Sequence, residues 1–214
     1  MLKKRLPSKT SNYADLIESG MYYVDKTAFI QTLESISDKY LFFLRPRRFG
    51  KSLTISMLEH YYGVQYKEKF DALFGGCFIG RKENSTQLRN EYRILKFNFS
   101  GIRTDSEDEI FRQFNGEIEG ALDLFMSEYN LFDDDERSEI FREADPVYTL
   151  RSFLFKYQSR YQGQKIYLVI DEYDHFTNEL FSFNTEHFKE IVTGNGWVRK
   201  FYEVIKMFMG QGVI

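Results

Sequence analysis

Tyr40-Leu41-Phe42-Phe43-Leu44-Arg45-Pro46-Arg47-Arg48-Phe49-Gly50-Lys51-Ser52-Leu53 is the stretch whose reading decides the fold. Its first five residues form a continuous apolar run, as in a strand buried on both faces, and Pro46 stops it. From Ser52 to Tyr62 helical spacing takes over, with Leu53, Ser56 or Met57, and His60 or Tyr61 recurring on one side. Between the two stands Gly50-Lys51-Ser52. The P-loop pattern is Gly, four residues, Gly, Lys, then Ser or Thr; the last three positions match, and Arg45 stands at the first glycine. Gly50 would let backbone N–H groups close around phosphate oxygens, and the helix N-terminus would add its dipole. Lys51 would neutralise β and γ phosphates, and the Ser52 hydroxyl suits a bound Mg²⁺. An ordinary strand-to-helix turn with a surface lysine could carry the same three residues. A second signal is needed.

It comes from Ile166-Tyr167-Leu168-Val169-Ile170-Asp171-Glu172, a hydrophobic strand ending in two acids. That is the Walker B arrangement: Asp171 would hold Mg²⁺ and Glu172 would polarise a water for in-line attack. A strand merely ending in solvated acids is the plainer reading. Both motifs, however, fall at strand ends, where α/β folds bind ligands. GTPases carry Asp-x-x-Gly after this strand and a guanine-reading Asn-Lys-x-Asp. Here Glu172-Tyr173-Asp174 follows Asp171 and no Asn-Lys-x-Asp exists. An ATPase with a glutamate base fits best.

The rest of the pattern is of α/β type with a parallel sheet flanked by helices. Thr10 to Ser37 reads as two short helices around Gly20, capped by Thr10 or Ser11 and by Asp25. Ile94 to Phe99 is a second strand. Ser106 and Glu109 form a capping box before a stripe of Ile110, Phe114, Ile118, Leu122 and Phe125. Asp133 to Glu136 reads as a solvated loop, Val147 to Gln162 as a helix, and Phe188 to Met209 as mostly helical. Residues 1–37 form a helical lead-in and 38–214 the core.

Composition sets the outer bounds. The 214 residues are 43% hydrophobic and 29% charged, enough for a real core and unlike a disordered chain. No run approaches the roughly 18 apolar residues of a membrane span, and no signal segment follows Met1. One cysteine, Cys77, excludes an internal disulfide and suits the reducing cytoplasm. A net charge of −3 argues against a generally basic nucleic-acid-binding body but leaves room for a local patch. The 22 Phe and 15 Tyr read as core. His60, His175 and His187 have no partner at zinc-ligand spacing. Asp171, Glu172, Asp174 and His175 resemble a nuclease metal cluster, but no acid is followed two positions later by Lys.

Tyr23-Val24-Asp25-Lys26-Thr27, Phe43 through Leu53, and Ile170-Asp171-Glu172-Tyr173-Asp174 together resemble the bacterial AAA-ATPase-like family. Its members often carry a PD-(D/E)XK nuclease-like domain after the ATPase. The resemblance spans essentially the whole chain, and the arginine-rich loop is its most specific part, with Arg45 in keeping with the family's own version. It implies an additional-strand P-loop NTPase fold, ATP with Mg²⁺, and an attached effector domain that the module drives or regulates. By this resemblance Arg45, Pro46, Arg47, Arg48, Phe49, Gly50, Lys51, Ser52 and Leu53 hold the nucleotide, Ser52 and Asp171 the metal, and Lys51 and Glu172 the chemistry. A nucleotide-responsive module with little turnover is the alternative. The arginines could add phosphate charge, contact a neighbouring subunit or nucleic acid, or stack on the fold's own acids. The Tyr23 to Thr27 element could be a helix cap at Asp25 with Tyr23 packed in the core, or, as the resemblance implies, stand beside the adenine. The resemblance also implies a further strand with a polar sensor residue after Met209, so the sequence reads as truncated before it.

Overall fold

The computed structural model describes residues 4–7, 10–44, 46, 48–102, 106–173 and 196–214. The chain divides into two compact units, residues 1–93 and 94–214.

The first unit holds α1 (Tyr13–Glu18), α2 (Phe29–Ser35), α3 (Lys51–Tyr62), a 3₁₀ helix (Val64–Lys69) and α4 (Phe70–Phe74). Its core is aromatic: Tyr13, Tyr61 and Phe74 are fully buried, and Tyr13 stacks on Phe74 at 5.0 Å. Asn12 rather than Thr10 or Ser11 caps α1, its Oδ1 accepting from the Asp15 N–H at 3.2 Å. Three adjacent polar residues can each cap, and the one with extended backbone immediately before the helix wins. Asp25 does not cap α2, which starts at Phe29. It closes the preceding turn, Oδ1 accepting from the Thr27 N–H at 2.8 Å and the Thr27 hydroxyl at 2.7 Å. Its Oδ2 accepts from the Phe78 N–H at 2.6 Å, and the Thr27 Oγ1 accepts from the Ile79 N–H. One carboxylate thereby ties the N-terminal segment to the loop after α4.

The expected first strand does not form. Tyr40 to Leu44 carries no strand backbone, and Leu41, Phe42 and Leu44 are exposed. Apolar periodicity shows that a segment wants burial, whereas a strand also needs a neighbour with which to share its backbone hydrogen bonds.

The second unit holds β1 (Tyr92–Asn98, starting at the boundary), α5 (Glu107–Glu128), α6 (Asp134–Ile140), α7 (Pro146–Arg160), β2 (Lys165–Asp171) and α8 (Trp197–Gly210). The two strands form a parallel two-stranded sheet. The Phe99 N–H donates to the Asp171 carbonyl at 3.2 Å, a register that sets Phe99 opposite Glu172 and Asn98 opposite Asp171. Leu95, Phe97 and Phe99 meet the α5 stripe of Ile110, Phe114, Ile118, Leu122 and Phe125, all buried as their spacing requires. Phe153 and Tyr157 of α7 and Phe201 and Phe208 of α8 complete this core.

Ser106 caps α5 through the Glu109 N–H, while Glu109 itself engages Arg112 and Gln113. The acidic run is no loop: Asp133 and Glu136 make a reciprocal capping box that starts α6. Beyond α8, the Val213 carbonyl accepts from the Ile166 N–H at 2.8 Å, so the chain returns to β2. Residues 188–195 of the expected last helix lie outside the described residues.

Candidate functional site

The loop ahead of α3 is shaped by two left-handed residues, Arg48 at φ 69° and Gly50 at φ 76°. Phe49 between them donates its N–H to the Pro46 carbonyl at 3.2 Å. Nothing lies within 4 Å of where a Gly50 Cβ would sit, so conformation rather than space demands glycine there. Gly50 immediately precedes α3. Its carbonyl takes the Thr54 N–H at 2.9 Å and hydroxyl at 3.0 Å, and among the described residues no side chain caps the helix. The first N–H groups of a helix have no intrahelical acceptor, and here they follow a turn that puts Lys51 and Ser52 in the first helical positions. Pro46, Arg48 and Phe49 are exposed; Lys51, Ser52 and Leu53 are half-buried. Arg45 and Arg47 lie outside the described residues.

α3 is held along its length, which fixes where Lys51 projects. Ser56 Oγ accepts from the Tyr13 N–H at 3.0 Å, and the Tyr23 hydroxyl donates to Met57 Sδ. Burial pushes the Tyr23 hydroxyl up to about 12, so it stays a donor. The His60 ring bonds the Ser56 carbonyl through Nδ1 at 2.7 Å and stacks on Tyr66 at 4.1 Å. At the far end, Asn90, left-handed at φ 55°, donates its amide to the Gly63 carbonyl at 2.8 Å and ties down the helix terminus. Nothing in Arg89-Asn90-Glu91 announces this role. The only clue is that asparagine tolerates such a backbone better than most residues.

In the second unit Asp171 is the last residue of β2 and is 5% exposed. Its Oδ1 accepts from the Glu172 N–H at 3.0 Å. Glu172 is left-handed at φ 56°, a conformation that costs a residue with a Cβ on the order of 1–2 kcal/mol. Such strain concentrates at working sites. The result is a buried carboxylate locked against the backbone of its neighbour, with the next acid turned off the strand direction. Asp174 and His175 lie outside the described residues. Pro46 and Arg48 through Leu53 are thus gathered at the start of α3 in the first unit, and Asp171 and Glu172 at the end of β2 in the second.

Mg²⁺ prefers hard oxygen donors and keeps several waters. The Ser52 hydroxyl and Asp171 carboxylate have that donor chemistry. Among the described residues no group of three or more His, Cys, Asp or Glu gathers to hold a metal. A site shared with phosphate oxygens needs no such group. Among the same residues no helix is long and apolar enough to cross a membrane.

A family model described as "Predicted AAA-ATPase" matches residues 7–213. Neither a curated protein nor a solved structure matches significantly.

Proposed function

The chain belongs to the AAA-ATPase-like family, and from that premise we propose that it binds ATP with Mg²⁺ at the start of α3 and hydrolyses it. The observation that carries the reading is Gly50 at φ 76°, placed so that Lys51 and Ser52 open a twelve-residue helix. The helix N-terminus and Lys51 would take the β and γ phosphates, and the exposed Arg48 is within the same short loop to add charge. Ser52 and Asp171 would hold Mg²⁺, which supplies charge neutralisation and orientation of the phosphates when bound. Glu172 would accept a proton from the attacking water, and the Asp171 bond to its N–H fixes the backbone from which it acts. The module would in turn drive or regulate an attached effector domain.

Phosphate release and ATP binding, measured on the same variants, test the assignment. Glu172→Gln is expected to keep ATP and Mg²⁺ while slowing hydrolysis by about 10²–10⁴-fold, the usual contribution of a general base. Asp171→Asn should weaken only the Mg²⁺-dependent part of binding. Equal turnover in parent and both variants would remove the Walker B assignment. ATP binding without turnover in the parent would leave a nucleotide-responsive module instead.

A further inference from the structure

The formal charge of −3 conceals a segregation. Residues 1–93 carry 16 basic against 10 acidic side chains, a formal +6; residues 94–214 carry 13 against 22, a formal −9. In the second unit bases are offset locally, Arg112 by Glu109 at 2.6 Å, Arg137 by Asp123 at 3.5 Å and Lys156 by Glu139 at 2.5 Å. In the first unit a group of cations is not offset in this way. The Tyr22 N–H donates to the Arg5 carbonyl at 2.8 Å, which lays the Lys4–Leu6 segment beside Met21–Val24. Asp25, three residues on, grips the Phe78 N–H, and the Arg81 N–H donates to the Phe78 carbonyl at 3.3 Å. Three chain segments therefore converge, and they bring Lys4, Arg5, Lys26, Arg81 and Lys82 together, every one exposed. Among the described residues none of the five makes an ion pair. The acids nearby are Asp25, whose carboxylate accepts from Thr27 and Phe78 and also interacts with Arg81, and Glu83, so two acids stand against the five cations. Tyr22, tied to Arg5 through its backbone, has its side chain half in solvent.

We propose that this surface of Lys4, Arg5, Tyr22, Lys26, Arg81 and Lys82 binds single-stranded nucleic acid. Clustered cations with an exposed ring are what a strand needs: phosphates meet the charges and a base stacks on the aromatic face. An anionic membrane is the other polyanion of this reach. Amphipathic helices are one common way of binding a membrane surface, and Lys4–Leu6 and Met21–Val24 carry no helix. The surface is separate in sequence from the phosphate loop, and the proposal does not depend on ATP binding.

The test is fluorescence anisotropy of the whole chain with a labelled oligothymidylate of about 20 nucleotides, a length that spans one or two strand-binding sites. The parent should bind saturably at about 50 mM salt, with affinity falling steeply as salt rises. The pair Arg81→Glu and Lys82→Glu, and the pair Lys4→Glu and Arg5→Glu, should each weaken binding about tenfold or more. Each should also lower the salt slope by about 0.7 for every phosphate no longer neutralised. Arg81→Gln with Lys82→Gln should act in the same direction, which guards against a folding defect in the reversed pair. Tyr22→Ala should weaken binding and leave the salt slope unchanged. Lys51→Ala should bind like the parent. No saturable binding, parent-like binding by both charge-reversed pairs, or weakened binding by Lys51→Ala overturns the proposal. So does binding to phosphatidylserine vesicles that the oligothymidylate does not compete.

Discussion

Gly50 and Arg48 flank Phe49 with nearly the same positive φ, yet a substitution should act differently at each. Gly50→Ala forces a Cβ into the left-handed region and should lower stability by about 1–2 kcal/mol, read by chemical denaturation. Arg48→Gly relieves the same strain while loosening the unfolded chain, so stability should stay within about 1 kcal/mol of the parent. An equal destabilisation at both positions would mean that the loop does not adopt this shape. Asp25 gives a pH signature. Burial alone would raise its pKa, but the Thr27 N–H and hydroxyl, the Phe78 N–H and the nearby Arg81 outweigh it and hold the carboxyl below its ordinary value. A depressed folded pKa adds stability above the unfolded value near 3.9, and that stability disappears as pH falls through the folded one. Asp25→Asn should therefore melt lower than the parent at pH 7, with the gap closing as pH falls below the unfolded value and through the folded one. A constant gap would contradict this account of the carboxylate.

The elements divide into those with repeated local signals and those that depend on a distant partner. α5 and β2 are legible in the sequence because stripe, cap and apolar run agree over many residues, from Ser106 through Phe125 and from Lys165 through Asp171. Asp133 to Glu136 misleads because four acids in a row look solvated, although Asp133 and Glu136 have the spacing of a cap. Asp133→Ala should cost about 1 kcal/mol as α6 loses its N-cap, visible as a lower melting temperature. An unchanged melting temperature would leave the box without weight. Tyr40 to Leu44 shows the opposite limit. Its apolar content is plain, but five residues cannot announce whether a ladder partner exists. At the candidate site, Gly50-Lys51-Ser52 and Asp171-Glu172 are visible as motifs. The positive φ of Arg48 and Glu172 is not, because side chains of that size do not announce a left-handed backbone.

At the scale of the molecule, two cores of different make-up sustain the two units. The first is built from tyrosines around α3 and the second from phenylalanines between β1, α5, α7 and α8. The charge follows the same division, and whole-chain composition could not reveal it because the two excesses nearly cancel. What the first core accomplishes is to hold α3, from Tyr13 at Ser56 to Asn90 at Gly63, so that the helix presents Lys51 at a fixed place. The claim that this end of α3 receives the phosphates of ATP is tested most directly by calorimetric titration of the chain with ATP and Mg²⁺, parent beside Lys51→Ala. Saturable binding is expected of the parent and at least tenfold weaker binding of the variant, the factor that about 1.4 kcal/mol of charge-assisted phosphate binding carries. Equal affinity in the two proteins would contradict it.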